Sequence, residues 1–144
     1  GCSLTEETDG IRLNGPSEGL HGIAIDMNDF SDQALTLAAI APYASSDVTI
    51  THIGHIRGQE CDRLHAIVMN LRNAGISCEE GDDWVCIHPG KPQPCRIETF
   101  DDHRVAMAFT VMGLGCDGIE ILNPGCCKKT FENYFVVLDS LLKH

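Results

Sequence analysis

Glu60 and Arg63 stand three residues apart at the head of a stretch, HIRGQECDRLHAIVMNLRNAGI, in which Leu64, Ile67, Val68 and Leu71 fall at i, i+3, i+4 and i+7. That spacing is the apolar stripe of an α-helix of about three turns, beginning near Cys61 or Asp62. Residues three apart on a helix share a face, so a carboxylate and a guanidinium here look onto one volume beyond the helix N-terminus. Free backbone N–H groups and the macrodipole favour an anion in that volume. The chemistry this suits is proton transfer beside a bound phosphate or carboxylate. An ordinary solvated first turn, with acidic residues near the positive end of the dipole and a single arginine, would use the same residue types.

Asp32 and Arg104 lie at or near two other expected helix starts, and Lys129 lies immediately before a fourth. Strand-to-helix junctions gather on one side of a sheet, so these groups can converge despite their separation in sequence. Taken singly, Asp32, Asp102 and His103 are equally well explained as caps and solvated charges.

The elements that must position these groups alternate. Residues 2–6 and 11–14 are expected as a hairpin around Thr8-Asp9-Gly10, an Asp-Gly turn signal. A strand is expected over 20–26, then a helix entered at Phe30-Ser31-Asp32 with Ser31 as its cap. Its body, ALTLAAIA, is apolar on every side and is therefore expected to be buried. A strand over 48–53 precedes the helix that carries Arg63, and Ala74-Gly75 stops that helix. A second hairpin, 77–80 and 84–88, flanks Gly81-Asp82-Asp83, and a proline-rich connector covers 90–94. A strand over 96–100, a buried helix VAMAFTVMGL opened by Asp101-Asp102, a strand over 118–122 and a broken loop over 123–129 follow. The last helix runs through Tyr134, Phe135, Leu138 and Leu141-Leu142, with Thr130 as its expected cap.

A repeat at an offset of seventy residues underlies this order: Phe30 matches Phe100, Asp32 matches Asp102, Ala38 matches Ala108, Asp47 matches Asp117 and Leu71 matches Leu141. SLTEETDGIRLNGP likewise echoes SCEEGDDWVCIHPG. Each repeat reads as one βαβαββ unit. The expected division is a leading hairpin, 1–16, from a preceding unit, a complete unit over 17–90, and a βαβα unit over 91–144. The hairpin either pairs with its own unit or completes the last one.

The chain of 144 residues fits one α/β domain able to bury roughly two-thirds of its unfolded surface. Its 43% hydrophobic and 22% charged residues are those of an ordinary globular protein. A formal charge of -11 argues against nucleic acid and anionic membranes as partners, and leaves any anion site as a local cationic pocket. No apolar run approaches the roughly 18 residues of a spanning helix and there is no signal-like segment, so a cytoplasmic location is expected. Eight cysteines without a CxxC pair are expected as free, mostly buried thiols.

GIAIDMNDFSDQALTLAAIAPYA, IRGQECDRLHAI, FDDHRVAMAF and LNPGCCKKTFENYF, in this order, resemble the C-terminal part of the EPSP synthase family of 3-phosphoshikimate 1-carboxyvinyltransferases. The resemblance covers essentially the whole chain, and ECDRL, DDHRVAM and KTF are specific in combination. It implies the family's fold, an inside-out α/β (α+β) arrangement of βαβαββ units in two lobes, of which this chain would hold about two units of one lobe without the N-terminal lobe. It implies transfer of the enolpyruvyl group of phosphoenolpyruvate to the 5-hydroxyl of shikimate 3-phosphate, in the shikimate pathway to the aromatic amino acids, with no cofactor and no metal.

By the same resemblance Asp32 is a candidate base at the attacking hydroxyl and Glu60 a proton carrier for the methylene carbon. Arg63, Arg104 and Lys129 form the phosphoenolpyruvate clamp, the arginines suited to forked contacts and the lysine to a point charge. His103 orients the clamp or takes part in proton movement. Asp32, His55 and Gln59 are assigned to shikimate 3-phosphate, although many members carry Lys where this chain has Gln59 and Asn where it has His55. With the other catalytic lysine on segments outside this chain, the chain alone is expected to be inactive, and a homodimer is expected to cover apolar surface that meets a further unit.

Two other readings use different residues or none of them. His52, His55, Cys61 and His65, with Cys126-Cys127, are zinc-type donors, but at no standard spacing. A non-catalytic binding or assembly module would keep the fold alone. The related UDP-N-acetylglucosamine enolpyruvyl transferases share that fold, yet their Cys-loop has no counterpart here.

Overall fold

The computed structural model describes residues 1–143; His144, the last residue of the expected second unit, lies outside them. Strand β3 (Ala24–Asp26) runs parallel to β4 (Val48–Thr51), which pairs antiparallel with β6 (Val85–Ile87), and β6 with β5 (Cys78–Glu80). The sheet order is β3-β4-β6-β5. Helices α1 (Ala34–Ile40) and α2 (Arg63–Asn73) cross between its strands, which makes one βαβαββ unit. Strands β7 (Cys95–Ile97) and β8 (Ile119–Ile121), parallel and joined through α3 (His103–Gly113), begin the second unit, and α4 (Tyr134–Leu142) follows. The leading hairpin, β1 (Ser3–Glu7) and β2 (Gly10–Asn14), is paired only with itself and is exposed along both strands. It does not complete the second unit of its own chain.

The two all-apolar helices lie against each other inside the fold, with Leu35 and Ala38 of α1 and Phe109 and Met112 of α3 out of contact with solvent. Helix α2 buries the stripe read from its spacing, Leu64, Ile67, Val68 and Leu71. Gly75, at φ 76, ends it in a conformation that any Cβ would strain. Buried Asn70 ties α2 to the second unit: its amide donates to the Glu98 carbonyl at 2.9 Å and its oxygen accepts the Glu98 N–H at 2.9 Å. That double bond fixes α2 beside the turn that leads into α3.

Several expected elements are shorter. Residues 20–23 contribute only one bridge, Leu20 to Ala44, ahead of β3. Strand β4 stops at Thr51 because His52 turns left-handed, at φ 57, and Asn123 does the same after β8, at φ 46. Strand β7 ends at Ile97, and Phe100 and Asp101, at φ 51 and 57, make the corner into α3.

Two expected caps are absent. Ser31 lies inside a 3-10 turn, Asn28–Gln33, that runs straight into α1, so the N–H of Ala34 already bonds to the Ser31 carbonyl. Thr130 does not cap α4; preceding backbone carbonyls supply the partners, as Tyr134 N–H donates to Phe131 at 3.1 Å. The caps that do form are Asp62, accepting the His65 N–H at 2.9 Å, and Asp102, accepting the Arg104 N–H at 2.8 Å. All eight cysteines are free, but only Cys78 and Cys127 are buried; Cys2 is exposed and the rest are half-buried.

Candidate active site

The starts of α2 and α3 lie side by side, which brings their first-turn side chains into one open pocket of about 540 Å³ lined by Asp32, Gln59, Glu60, Arg63, His103, Arg104 and Thr130. Arg63 opens α2 and is buried at 3% exposure. Its Nε donates to Asp102 Oδ2 at 2.7 Å, Nη2 reaches Asp102 Oδ1 at 3.4 Å, and Nη1 donates to Asp32 Oδ1 at 2.9 Å and to the Gln59 side-chain oxygen. Arg104, in the first turn of α3, contacts the other oxygen of the same carboxylate, Nη2 to Asp32 Oδ2 at 2.9 Å. Asp32 therefore bridges two guanidinium groups from two helices.

Across the pocket Lys129, at the end of the 3-10 turn Pro124–Lys129, donates to Glu60 Oε1 at 2.5 Å. Glu60 Oε2 lies 3.3 Å from Nδ1 of buried His103, an atom with no hydrogen-bond partner among the described residues. The Lys129 hydrogen bond outweighs partial burial and holds the Glu60 carboxyl below its usual range, with His103 and the lysine charge adding to it. For Asp102, complete burial would raise the pKa, but the Arg63 hydrogen bond, the Arg104 N–H and the neighbouring cations prevail and lower it. Arg63 likewise resists its burial through Asp102 and Asp32 and stays charged. Burial, followed by the Asp102 charge, pushes the Cys61 thiol up to about 12, and its Sγ lies 3.6 Å from Asp102 Oδ2.

All five residues of the expected clamp and proton carriers thus meet at one pocket, Lys129 at its edge through Glu60. Gln59 lines it too. His55 does not; its Nε2 pairs with Ser31 Oγ at 2.7 Å outside the pocket lining. Asp102 carries more than the cap that its sequence position signals, because it is the sole counter-charge contact of Arg63 that is itself fully buried among the described residues. The doubled Asp in DDHR was the only sign of it.

The zinc-type donors disperse: His52 pairs with Asp26 at 2.9 Å, His55 with Ser31, Cys61 with Asp102, and His65 meets the edge of Phe100. Two other groups, Glu60/Asp102/His103 and Asp47/Cys86/His88, bring donor atoms within 4.8 Å of one another. In each, ion pairing accounts for the approach; His88 Nδ1 lies 2.9 Å from Asp47 Oδ1. The arrangement around Arg63 and Arg104 can hold a small oxyanion and move a proton beside it.

The chain is 49% identical over 99% of its length to the 3-phosphoshikimate 1-carboxyvinyltransferase of Nostoc punctiforme, of which it covers 33%, and 38% identical over its full length to the chloroplastic enzyme of Brassica napus, of which it covers 29%. It spans about a third of the length of the curated relatives it matches. Its fold superimposes on EPSP synthase from Acinetobacter baumannii with a TM-score of 0.82 at 22% identity, over 96% of this chain and 35% of the other. With a match to the family model of EPSP synthase (3-phosphoshikimate 1-carboxyvinyltransferase) running over residues 1–138, this chain belongs to the EPSP synthase family.

Proposed function

We propose that this chain is the C-terminal portion of an enolpyruvyl transferase and supplies one wall of its active site, where phosphoenolpyruvate is held against shikimate 3-phosphate. In the reaction the methylene carbon of phosphoenolpyruvate gains a proton while the 5-hydroxyl of shikimate 3-phosphate loses one and attacks the adjacent carbon. The tetrahedral adduct then expels phosphate and gives up the methyl proton, leaving 5-enolpyruvylshikimate 3-phosphate.

Arg63, Arg104 and Lys129 hold the carboxylate and phosphate of phosphoenolpyruvate, and fixed cations of this kind also stabilise charge that develops in the adduct. Arg104 and Lys129 leave Asp32 and Glu60 for the ligand when it enters. Glu60, ionised in the free chain by the Lys129 hydrogen bond, becomes a proton carrier once that lysine turns to the anion. Asp32 serves the attacking hydroxyl, and Gln59 and His55 lie toward the shikimate phosphate. His103 Nδ1 steadies Glu60. The remaining groups, and the rest of the shikimate 3-phosphate pocket, come from the N-terminal lobe, and the enzyme works in the cytoplasm without metal or cofactor.

One observation supports this reading above the others: two arginines from different helices share Asp32 on one side of a pocket whose other side is the Glu60–Lys129 pair. Titration calorimetry with phosphoenolpyruvate tests it. The chain should take up one molecule, more weakly at higher salt, and Arg104→Ala and Lys129→Ala should each weaken uptake. Affinity untouched by both substitutions would remove the clamp.

A further inference from the structure

Strand β6 alternates: Val85 and Ile87 are buried, so Cys86 and the next residue, His88, lie on the opposite, outer face of the sheet. Register with the neighbouring strands brings further donors to that face. Thr49 of β4 and Glu79 of β5 lie abreast of Cys86 on either side. One step along, the pairing of Val48 with Ile87 sets Asp47 abreast of His88, whose N–H donates to the Ser77 carbonyl at 3.0 Å. A carboxylate oxygen of Asp47, Cys86 Sγ and a ring nitrogen of His88 all lie within 4.8 Å of one another.

Ion pairing accounts for the approach of His88 Nδ1 to Asp47 Oδ1, at 2.9 Å, and strand register adds the thiol to them. The surroundings support ligation. Thr49 Oγ1 donates to Cys86 Sγ at 3.4 Å, a hydrogen bond that favours the thiolate, and Glu79 Oε1 lies 3.6 Å from His88 Nε2, where a small turn of the ring brings it into hydrogen-bond range. A carboxylate at one ring nitrogen selects the tautomer that leaves the other free to bind a metal. Zinc bonds of about 2.3 Å to sulfur and about 2.0–2.2 Å to nitrogen and oxygen put tetrahedral donors roughly 3.3–3.7 Å apart. The ion pair need open by only a few tenths of an ångström, and the wider gaps close by little more than about 1 Å. Side chains as open to water as Asp47, Cys86 and His88 can make that adjustment.

We propose that Asp47, Cys86 and His88 are the ligands of one zinc ion, which clips the start of β4 to the end of β6, with Glu79 orienting the imidazole and water completing the tetrahedron. A thiolate and an imidazole select zinc over magnesium and calcium, which take sets of oxygen donors. The ion replaces the thiol proton of Cys86 and any proton that His88 shares with Asp47, and both leave to solvent. None of the three ligands lines the pocket of Arg63 and Arg104, so the ion stands apart from the transfer reaction. It is a staple in the sheet β3-β4-β6-β5, every strand of which belongs to the first unit.

Titration of the reduced full chain with cobalt(II), a spectroscopic substitute for zinc, tests this. The expected result is one ion per chain with a thiolate-to-cobalt charge-transfer band, displaced by equimolar zinc, and a urea midpoint that rises when zinc is added. Cys86→Ser should abolish the band, and Asp47→Asn and His88→Gln should each weaken binding by about ten-fold or more. Cys2→Ser, which removes the exposed thiol, should leave it unchanged. The three ligands lie outside the buried core, so an unchanged far-ultraviolet spectrum separates loss of a ligand from loss of the fold. No band with cobalt in several-fold excess would overturn the proposal. A band that survives Cys86→Ser would place the ion on other thiols, and an affinity indifferent to both Asp47→Asn and His88→Gln, or a urea midpoint indifferent to zinc, would equally sink it.

Discussion

Arg63 at the start of α2 donates at 2.7 Å to Asp102, the wholly buried residue that caps α3. A buried pair of this kind leaves a bare charge in the interior if either member is removed. Asp102→Ala should therefore lower the free energy of unfolding by about 3–5 kcal/mol. Replacing both partners by apolar residues of similar volume should cost less than the sum of the two single changes, as urea unfolding of the four chains in a double-mutant cycle would show. Additive losses would mean that the pair is not coupled.

Acid should attack the same pair. The carboxyls of Asp102 and Glu60 are both held below their ordinary values of 3.8 and 4.5 in the folded chain. A lowered folded-state pKa gives stability that is fully present above the unfolded value and disappears as pH falls through the folded one. Unfolding by urea should thus show little loss of midpoint between neutral pH and about 5, and a steep loss below about 4. Asp102→Asn should flatten that descent, and an undiminished slope would assign it to other carboxylates.

Arg104 is a contrasting case. Its side chain is partly open to water and its salt bridge is to a half-exposed carboxylate, so Arg104→Ala should change stability by no more than about 0.5 kcal/mol. Affinity for phosphoenolpyruvate should nevertheless drop by about ten-fold or more, the usual consequence of losing a charged hydrogen bond. The chain by itself should release no phosphate from phosphoenolpyruvate and shikimate 3-phosphate in a coupled assay, and ordinary turnover would contradict a site shared with another lobe.

Thiol chemistry offers an independent reading of the interior. Cys61, pushed up to about 12 by burial and the Asp102 charge, and Cys127, raised to about 11 chiefly by burial, should resist alkylation at pH 8 in the native chain. Exposed Cys2 should react first. Peptide mapping after a short iodoacetamide pulse would reveal the order, and early labelling of Cys61 would mean that the pocket opens.

Much of this was legible from local spacing. The seventy-residue repeat signalled the alternation of strands and helices, the apolar runs announced α1 and α3, and Asp32, Glu60, Arg63 and Arg104, from junctions divided between two sheets, line one pocket with Lys129 paired to Glu60 at its edge. Ser31 and Thr130 misled because a cap is inferred from residue type, whereas the backbone entering α1 and α4 was already coiled and needed no side chain. Strand ends were overrun where His52, Phe100 and Asp101 turn left-handed, a conformation uncommon for any non-glycine residue and least expected of a bulky one such as Phe. The Asp102–Arg63 contact spans 39 positions and could not be read from either neighbourhood alone.

The anchoring of Arg63 has a consequence for recognition. A free arginine side chain carries about 2 kcal/mol of rotamer freedom, and here that freedom is lost when the protein folds, not when a guest arrives. With Nε and Nη2 turned to Asp102 and Nη1 to Asp32 and the Gln59 side-chain oxygen, the guanidinium is preorganised, and a guest reaches Nη1 only by displacing one of those two partners. Selectivity at this wall is then a matter of whether an incoming oxyanion fits a donor already fixed in place, since a misplaced guest cannot draw the arginine toward itself.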